Sequence, residues 1–138
     1  MNTQKDVFCS PEKAAMELKK GRMIILVDDP DRENEGDIVI AAQHTTADAV
    51  NFMETSARGL ICVAMSRERC NALDLPLQVG KNTSKMGTAF TVTVDGAKGT
   101  TTGISASDRA LTINLLADKK TVPEDLARPG HVFPIQAR

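Results

Sequence analysis

Met23-Ile24-Ile25-Leu26-Val27-Asp28-Asp29-Pro30-Asp31-Arg32-Glu33-Asn34-Glu35-Gly36-Asp37-Ile38-Val39-Ile40-Ala41-Ala42 places an acidic segment between two apolar runs. The run from Met23 to Val27 is unbroken, the pattern of a strand covered on both faces in the middle of a sheet. Ile38 to Ala42 reads as a second strand. Between them stand six carboxylates and one guanidinium, that of Arg32. Without this window the chain keeps 16 basic against 12 acidic residues, so the net charge of −1 conceals a concentrated acidic site on a mildly basic body.

Upstream, Ser10-Pro11-Glu12 has the form of an N-cap, a first-turn proline and an early acid. A helix with Ala14, Ala15 and Leu18 on one face follows, stopped at Gly21. Downstream, Thr45-Thr46 opens a helix whose Val50, Met53 and Ala57 share a face before Gly59. Leu60 to Met65 predicts a third buried strand, and Ser66 with Glu68 the start of a short helix toward Cys70. Asp74 to Lys85 reads as loop. Phe90, Val92 and Val94 alternate with Thr91 and Thr93, which predicts a strand with its threonines on the wetter face, broken by Gly96 and Gly99. Ser107 or Asp108 is the expected cap of a helix carrying Leu111 and Leu115, ending near Lys119-Lys120. The remainder is Pro-rich and reads as irregular apart from His131-Val132-Phe133. Strands mixed with helices give an α/β or α+β domain, between which periodicity does not choose.

At 138 residues, one compact domain is the expectation. A hydrophobic fraction of 41% and a charged fraction of 25% are ordinary soluble usage, against disorder or a collagen-like chain. Trp and Tyr are absent and Phe numbers 4, so the core is aliphatic and bases have no stacking platform; nucleic-acid binding is set aside. Cys9, Cys62 and Cys70, odd in number and without C-x-x-C spacing, fit a reducing, cytoplasmic setting better than a disulfide framework or structural zinc site. No stretch approaches the roughly 20 apolar residues of a membrane span, and MNTQKDVFCS lacks the order of a signal peptide.

The acidic segment is either a solvated loop or a hard-cation site, since Mg²⁺ takes carboxylates and keeps waters while it orients substrate oxygens. Close carboxylates also suit acid–base work, because each pushes the other's pKa. Arg32 would pair with a carboxylate or hold a substrate oxygen. Gly99-Thr100-Thr101-Thr102-Gly103-Ile104-Ser105 offers freed backbone and hydroxyls to a phosphate or sugar, or is a plain turn; it is not a P-loop, lacking the Gly-Lys-Ser/Thr ending. Asp108-Arg109 reads as a helix-start salt bridge ahead of a site pair. His131, within Pro129-Gly130-His131-Val132-Phe133-Pro134, is a held imidazole able to move protons. His44 reads as a surface residue, and Cys62 as a buried inert thiol rather than a nucleophile.

ILVDDPDRENEGD, GTAFTVTVD, GTTTGISASDRALTI and RPGHVFPI, in this order, resemble the 3,4-dihydroxy-2-butanone 4-phosphate synthase family over nearly the whole chain. The resemblance implies a lyase of riboflavin biosynthesis: a homodimeric, cytoplasmic, mixed α/β single domain of that family's sandwich type. It would use Mg²⁺ or Mn²⁺ to convert D-ribulose 5-phosphate into L-3,4-dihydroxy-2-butanone 4-phosphate and formate. Carried over by motif, Arg32 and Glu33 would meet the substrate, Glu33 would be a metal ligand, and Asp37 would hold substrate hydroxyls. Glu35, Cys62, Thr102 and His131 would line the same pocket. Family members continue through a glycine-rich turn and an Arg-x-Gly-His-Thr-Glu segment whose histidine is the other protein metal ligand, then a later substrate-contacting glutamate. Neither is in these residues, so residues 1–138 are expected to be a C-terminally incomplete domain, cut after Gln136-Ala137-Arg138. The competing expectation is a non-catalytic homologue acting as a dimerisation or regulatory partner; a different metal-dependent sugar-phosphate isomerase or aldolase would not release formate.

Overall fold

A computed structural model describes residues 7–137, so the first six residues of the opening segment and Arg138 lie outside it. The described chain runs α1 (Pro11–Lys19), β1 (Ile24–Val27), β2 (Gly36–Val39), a 3₁₀ turn (Ala42–His44), α2 (Ala47–Ser56) and β3 (Cys62–Met65). It continues through α3 (Arg67–Ala72), β4 (Val94–Gly96), α4 (Ala106–Ala117), a second 3₁₀ turn (Pro123–Asp125) and β5 (Leu126–Gln136). The class is mixed α/β, as expected. Local capping chemistry starts the helices where hydroxyls allow it. Ser10 accepts from Lys13 N, Thr46 from Ala49 N and Ser66 from Arg69 N, each satisfying an otherwise orphaned first-turn donor. At α4 the cap is Ser105, which accepts from Asp108 N, two residues before the earlier of the two expected caps.

The strands form two separate sheets. β1 and β2 make an antiparallel ribbon, Ile24 opposite Val39 and Val27 opposite Gly36. Among the described residues β1 is therefore not a central strand: it has one strand neighbour, and Ile25, Leu26 and Val27 are 71%, 57% and 45% exposed. Its apolar run is real, but among the described residues α1 is the helix that lies against it, and it leaves these three side chains largely open. The second strand also begins earlier than Ile38, because Gly36 and Asp37 already pair with Val27 and Leu26, and it ends at Val39.

The larger sheet has the order β3-β5-β4. β5 is its centre, parallel to β3 with Cys62 opposite Phe133, and antiparallel to β4 with Val94 opposite Val132. The Pro-rich stretch expected to be irregular is thus the middle strand. Prolines survive there because the β4 pairing jumps from Val94–Val132 to Asp95–Ala127, so Pro129 lies where no ladder bond is required of it. Pro134 contributes its carbonyl instead, accepting from Thr91 N at 3.0 Å.

The expected strand over Phe90 to Val94 is reduced to β4 at its end, preceded by single bridges from Phe90 to Ile135 and Thr91 to Leu77. Its threonines are not on the wetter face. Thr91 and Thr93 are buried, with Thr91 Oγ1 donating to Pro134 O and Thr93 Oγ1 accepting from Gly130 N. β3 alternates instead of being buried throughout: Val63 and Met65 point in, Cys62 and Ala64 out. The core joins Val63 and Met65 to Val50 of α2, Cys70 and Leu73 around α3, Val94, Val132 and Leu126 of the sheet, and Ala110, Ile113 and Leu116 of α4. α1 contributes no buried residue.

Candidate active site

The acidic loop is organised from its first residue. The Asp28 carboxylate accepts from Glu33 N, Glu35 N and Arg32 Nη1, each at 2.9 Å. These donors, the two backbone amides foremost, hold its carboxyl below the usual aspartate range. Asp29 Oδ1 accepts from Asp31 N at 2.8 Å, and Asn34 takes a left-handed conformation, φ +52°, that lets the chain turn back into β2. Asp28 and Asp29 are thus spent on shaping the loop.

Glu33, Glu35 and Asp37 line a cavity of about 880 Å³. Its other walls come from β2, the Ala57–Gly59 turn, β3 with Cys62, and Phe90, Ile113 and Ile135. Arg32 does pair with carboxylates, Asp28 at 2.9 Å and Glu33 at 3.4 Å, and it is not among the residues lining the cavity. Cys62 is exposed rather than buried, which corrects the reading of it as a core thiol. Partial desolvation and then the charge of Asp37 push its thiol pKa up, so it is kept protonated and is no activated nucleophile. Asp37 and Cys62 both line this cavity, so the ribbon and β3 address one space.

Thr102 and His131 are not among the residues lining this cavity. Thr102 is exposed in a loop ordered around Asp108, whose carboxylate accepts from Thr101 N, Thr101 Oγ1 and Gly103 N at 2.8 to 3.1 Å. The Thr101 hydroxyl leads in holding the Asp108 carboxyl below its ordinary value. Asp108 and Arg109 form no salt bridge with one another: Arg109 is buried and pairs with Glu54 of α2 at 2.5 Å. His131 Nδ1 lies 2.8 Å from Asp95 Oδ2. His44 is on the surface, as read.

Sequence reasoning did not single out Asp28 or Asp95. For Asp28 a signal existed in its place at the head of the loop, where an aspartate commonly collects the backbone amides that follow. For Asp95 it was an acid at the end of an apolar–threonine run, since a buried carboxylate is rare unless partnered.

Among the described residues no group of three or more His, Cys, Asp or Glu side chains stands ready to hold a metal ion. Glu33, Glu35 and Asp37 nonetheless supply hard oxygen donors beside the cavity, and Mg²⁺ is commonly held by one or two carboxylates with waters and substrate oxygens completing the shell. The donor chemistry fits such an ion without a closed cage.

Fold and cavity together define a carboxylate-lined small-molecule site on a mixed α/β scaffold. The family model of 3,4-dihydroxy-2-butanone 4-phosphate synthase matches residues 12–138, and the chain belongs to this family. It is 55% identical over 126 residues to the 3,4-dihydroxy-2-butanone 4-phosphate synthase of Agrobacterium fabrum, covering 91% of this chain and 59% of that one. With the riboflavin biosynthesis protein RibBA of a Synechocystis species it shares 52% identity over 134 residues, covering 96% of this chain and 24% of the relative. A crystal structure of 3,4-dihydroxy-2-butanone 4-phosphate synthase in complex with two magnesium ions superposes with a TM-score of 0.93 at 45% identity, over 95% of this chain and 61% of that one. The chain thus spans less than two thirds of the length of these relatives.

Proposed function

We propose that this chain carries the riboflavin-pathway reaction in which D-ribulose 5-phosphate becomes L-3,4-dihydroxy-2-butanone 4-phosphate and formate. The observation that supports it is the convergence of Glu33, Glu35, Asp37 and Cys62 on one cavity in a member of this family. The substrate would enter that cavity with its hydroxyls toward Asp37, and Arg32 is assigned a further substrate contact. A carboxylate, Glu35 being free of the loop's internal bonds, takes the C3 proton to give an enediol. The C1 hydroxyl then leaves as water and C1 becomes the methyl end of the product. C5 migrates from C4 to C3, water adds to the displaced C4, and that carbon departs as formate, so the water lost is regained and the atoms balance. His131 is assigned proton movement in these steps and Thr102 a substrate contact. The protonated Cys62 thiol serves as a weak donor and as part of the wall.

Glu33 would hold a divalent cation, Mg²⁺ or Mn²⁺, whose chemistry when bound is polarisation of the C2 carbonyl and its neighbouring hydroxyl. The free thiols Cys9, Cys62 and Cys70 suit a cytoplasmic enzyme, and the exposed apolar side chains of β1 are the kind of surface a homodimer buries. No helix of the described residues is long and apolar enough to cross a membrane.

The test is formate release from D-ribulose 5-phosphate by the 138-residue chain, with and without Mg²⁺, beside Glu33→Ala. Metal-dependent release that the variant loses is the expected result. Near-normal turnover in Glu33→Ala would remove its assigned role, and no release from the parent chain would favour a non-catalytic partner of a longer relative.

A further inference from the structure

We propose that Asp95 is a positioning residue for His131: it fixes the imidazole as the Nδ1–H tautomer and presents Nε2 as the nitrogen that handles protons. The inference rests on the assignment of His131 to the reaction above. Asp95 is 8% exposed and each of its carboxylate oxygens is committed to the same partner residue. Oδ1 accepts from the His131 backbone N–H at 2.9 Å, and Oδ2 lies 2.8 Å from Nδ1. A carboxylate only accepts, so in the neutral ring the proton of that second bond belongs to Nδ1 and Nε2 carries the lone pair. Clasped at both backbone and ring, His131 loses the freedom to rotate or to exchange its nitrogens. Its side chain is still 42% exposed, and no described residue bonds Nε2.

The surroundings are shaped for this pair and for little else. A Cβ on Gly103 would stand 2.1 Å from Asp95 Oδ2 and 2.8 Å from His131 Nδ1, so the Thr-rich loop packs its bare backbone against the bond itself. Gly130, next to His131, lies so close to β4 that its Cβ would meet Val94 C at 2.0 Å, and its N–H donates to Thr93 Oγ1 at 3.0 Å. This is where the β4–β5 register jumps, so the ladder is interrupted where side chains replace main-chain partners.

The measurement is the long-range ¹H–¹⁵N correlation spectrum of the imidazoles in the 138-residue chain, above the pH of histidine titration. His44→Gln leaves His131 as the single ring. The expected tautomer is Nδ1–H. In Asp95→Asn the amide oxygen must take over the His131 N–H, which turns the amide NH₂ toward Nδ1 and makes that nitrogen an acceptor; the spectrum should switch to Nε2–H. Formate release in Asp95→Asn should then lose kcat by about 100-fold or more, the usual scale of a misplaced acid–base group, with KM within about twofold. An Nε2–H ring in the parent overturns the proposal without any variant having to fold. Nδ1–H retained in Asp95→Asn, or an unchanged kcat, overturns it as well. A parent that shows Nδ1–H but releases no formate overturns the reaction proposed for this chain while leaving the positioning by Asp95 standing.

Discussion

The acidic loop and the Asp95–His131 junction both hold functional side chains in place, by opposite means. In the loop, Asp28 gathers donors from the next seven positions of chain, and the segment sits on a two-stranded ribbon with much of its surface in water. At the junction, each partner is 36 or 37 residues away, and buried backbone leaves no room for a methyl group. On the proposed function, groups that would meet a hydrated cation and a polar sugar can tolerate a solvated mount, whereas a ring proposed to keep one tautomer needs a rigid one. The comparison teaches that local hydrogen bonding suffices to aim a carboxylate, while long-range packing is needed to fix a proton.

The sharpest separation of the two regions is expected from Glu33→Ala. It should abolish turnover, about a thousandfold or more on the scale of losing a key electrostatic group, while the urea midpoint stays unchanged. Gly130→Ala should do the reverse. A Cβ against the Val94 backbone forces the central strand apart and costs about 3 kcal/mol or more, read by urea unfolding, whereas Gly36→Ala, meeting only the side-chain methyls of Ile25 at 3.3 Å and Val27 at 3.9 Å, should stay within about 0.5 kcal/mol. If both glycines behave alike, the contrast between ribbon and junction fails.

Acid should probe the two mounts together. Asp28 and Asp108 have carboxyl pKa values lowered by folding, so their contribution is full above the ordinary aspartate value of about 3.9 and is lost as pH falls through the lower folded values. Asp108→Asn should therefore lower the urea midpoint at neutral pH and flatten its decline in acid; an identical acid slope in parent and variant would remove Asp108 from the account. Smallest of all, Ile25→Thr on the open face of β1 should move stability by no more than about 0.5 kcal/mol, against about 2–5 kcal/mol for Leu116→Ala in the core.

What could be read in the chain beforehand follows the same division. The caps at Ser10, Thr46 and Ser66, the acidic loop and the meeting of Glu33, Glu35, Asp37 and Cys62 along one cavity all rest on short segments or ordered motifs. The centre of the sheet was hidden because two prolines and a glycine erase the alternation by which a strand is recognised, and only a register jump makes them acceptable. Apolar content could not reveal that β1 has one strand neighbour, since an unbroken run reports what a strand can bury, not what lies beside it. Burial of Thr91 and Thr93 was equally silent, because their hydroxyls are satisfied by Pro134 and Gly130, far along the chain.

The position of β5 also governs how the domain assembles. It follows both of its neighbours in the chain, yet lies between them, with Cys62 awaiting Phe133 and Val94 awaiting Val132. During synthesis β3 and β4 therefore emerge as unsatisfied edges, and the three-stranded sheet does not exist until residues 126–136 arrive. Such a chain should fold late and all at once, and in the interval before closure a chaperone would find its β3 and β4 edges open.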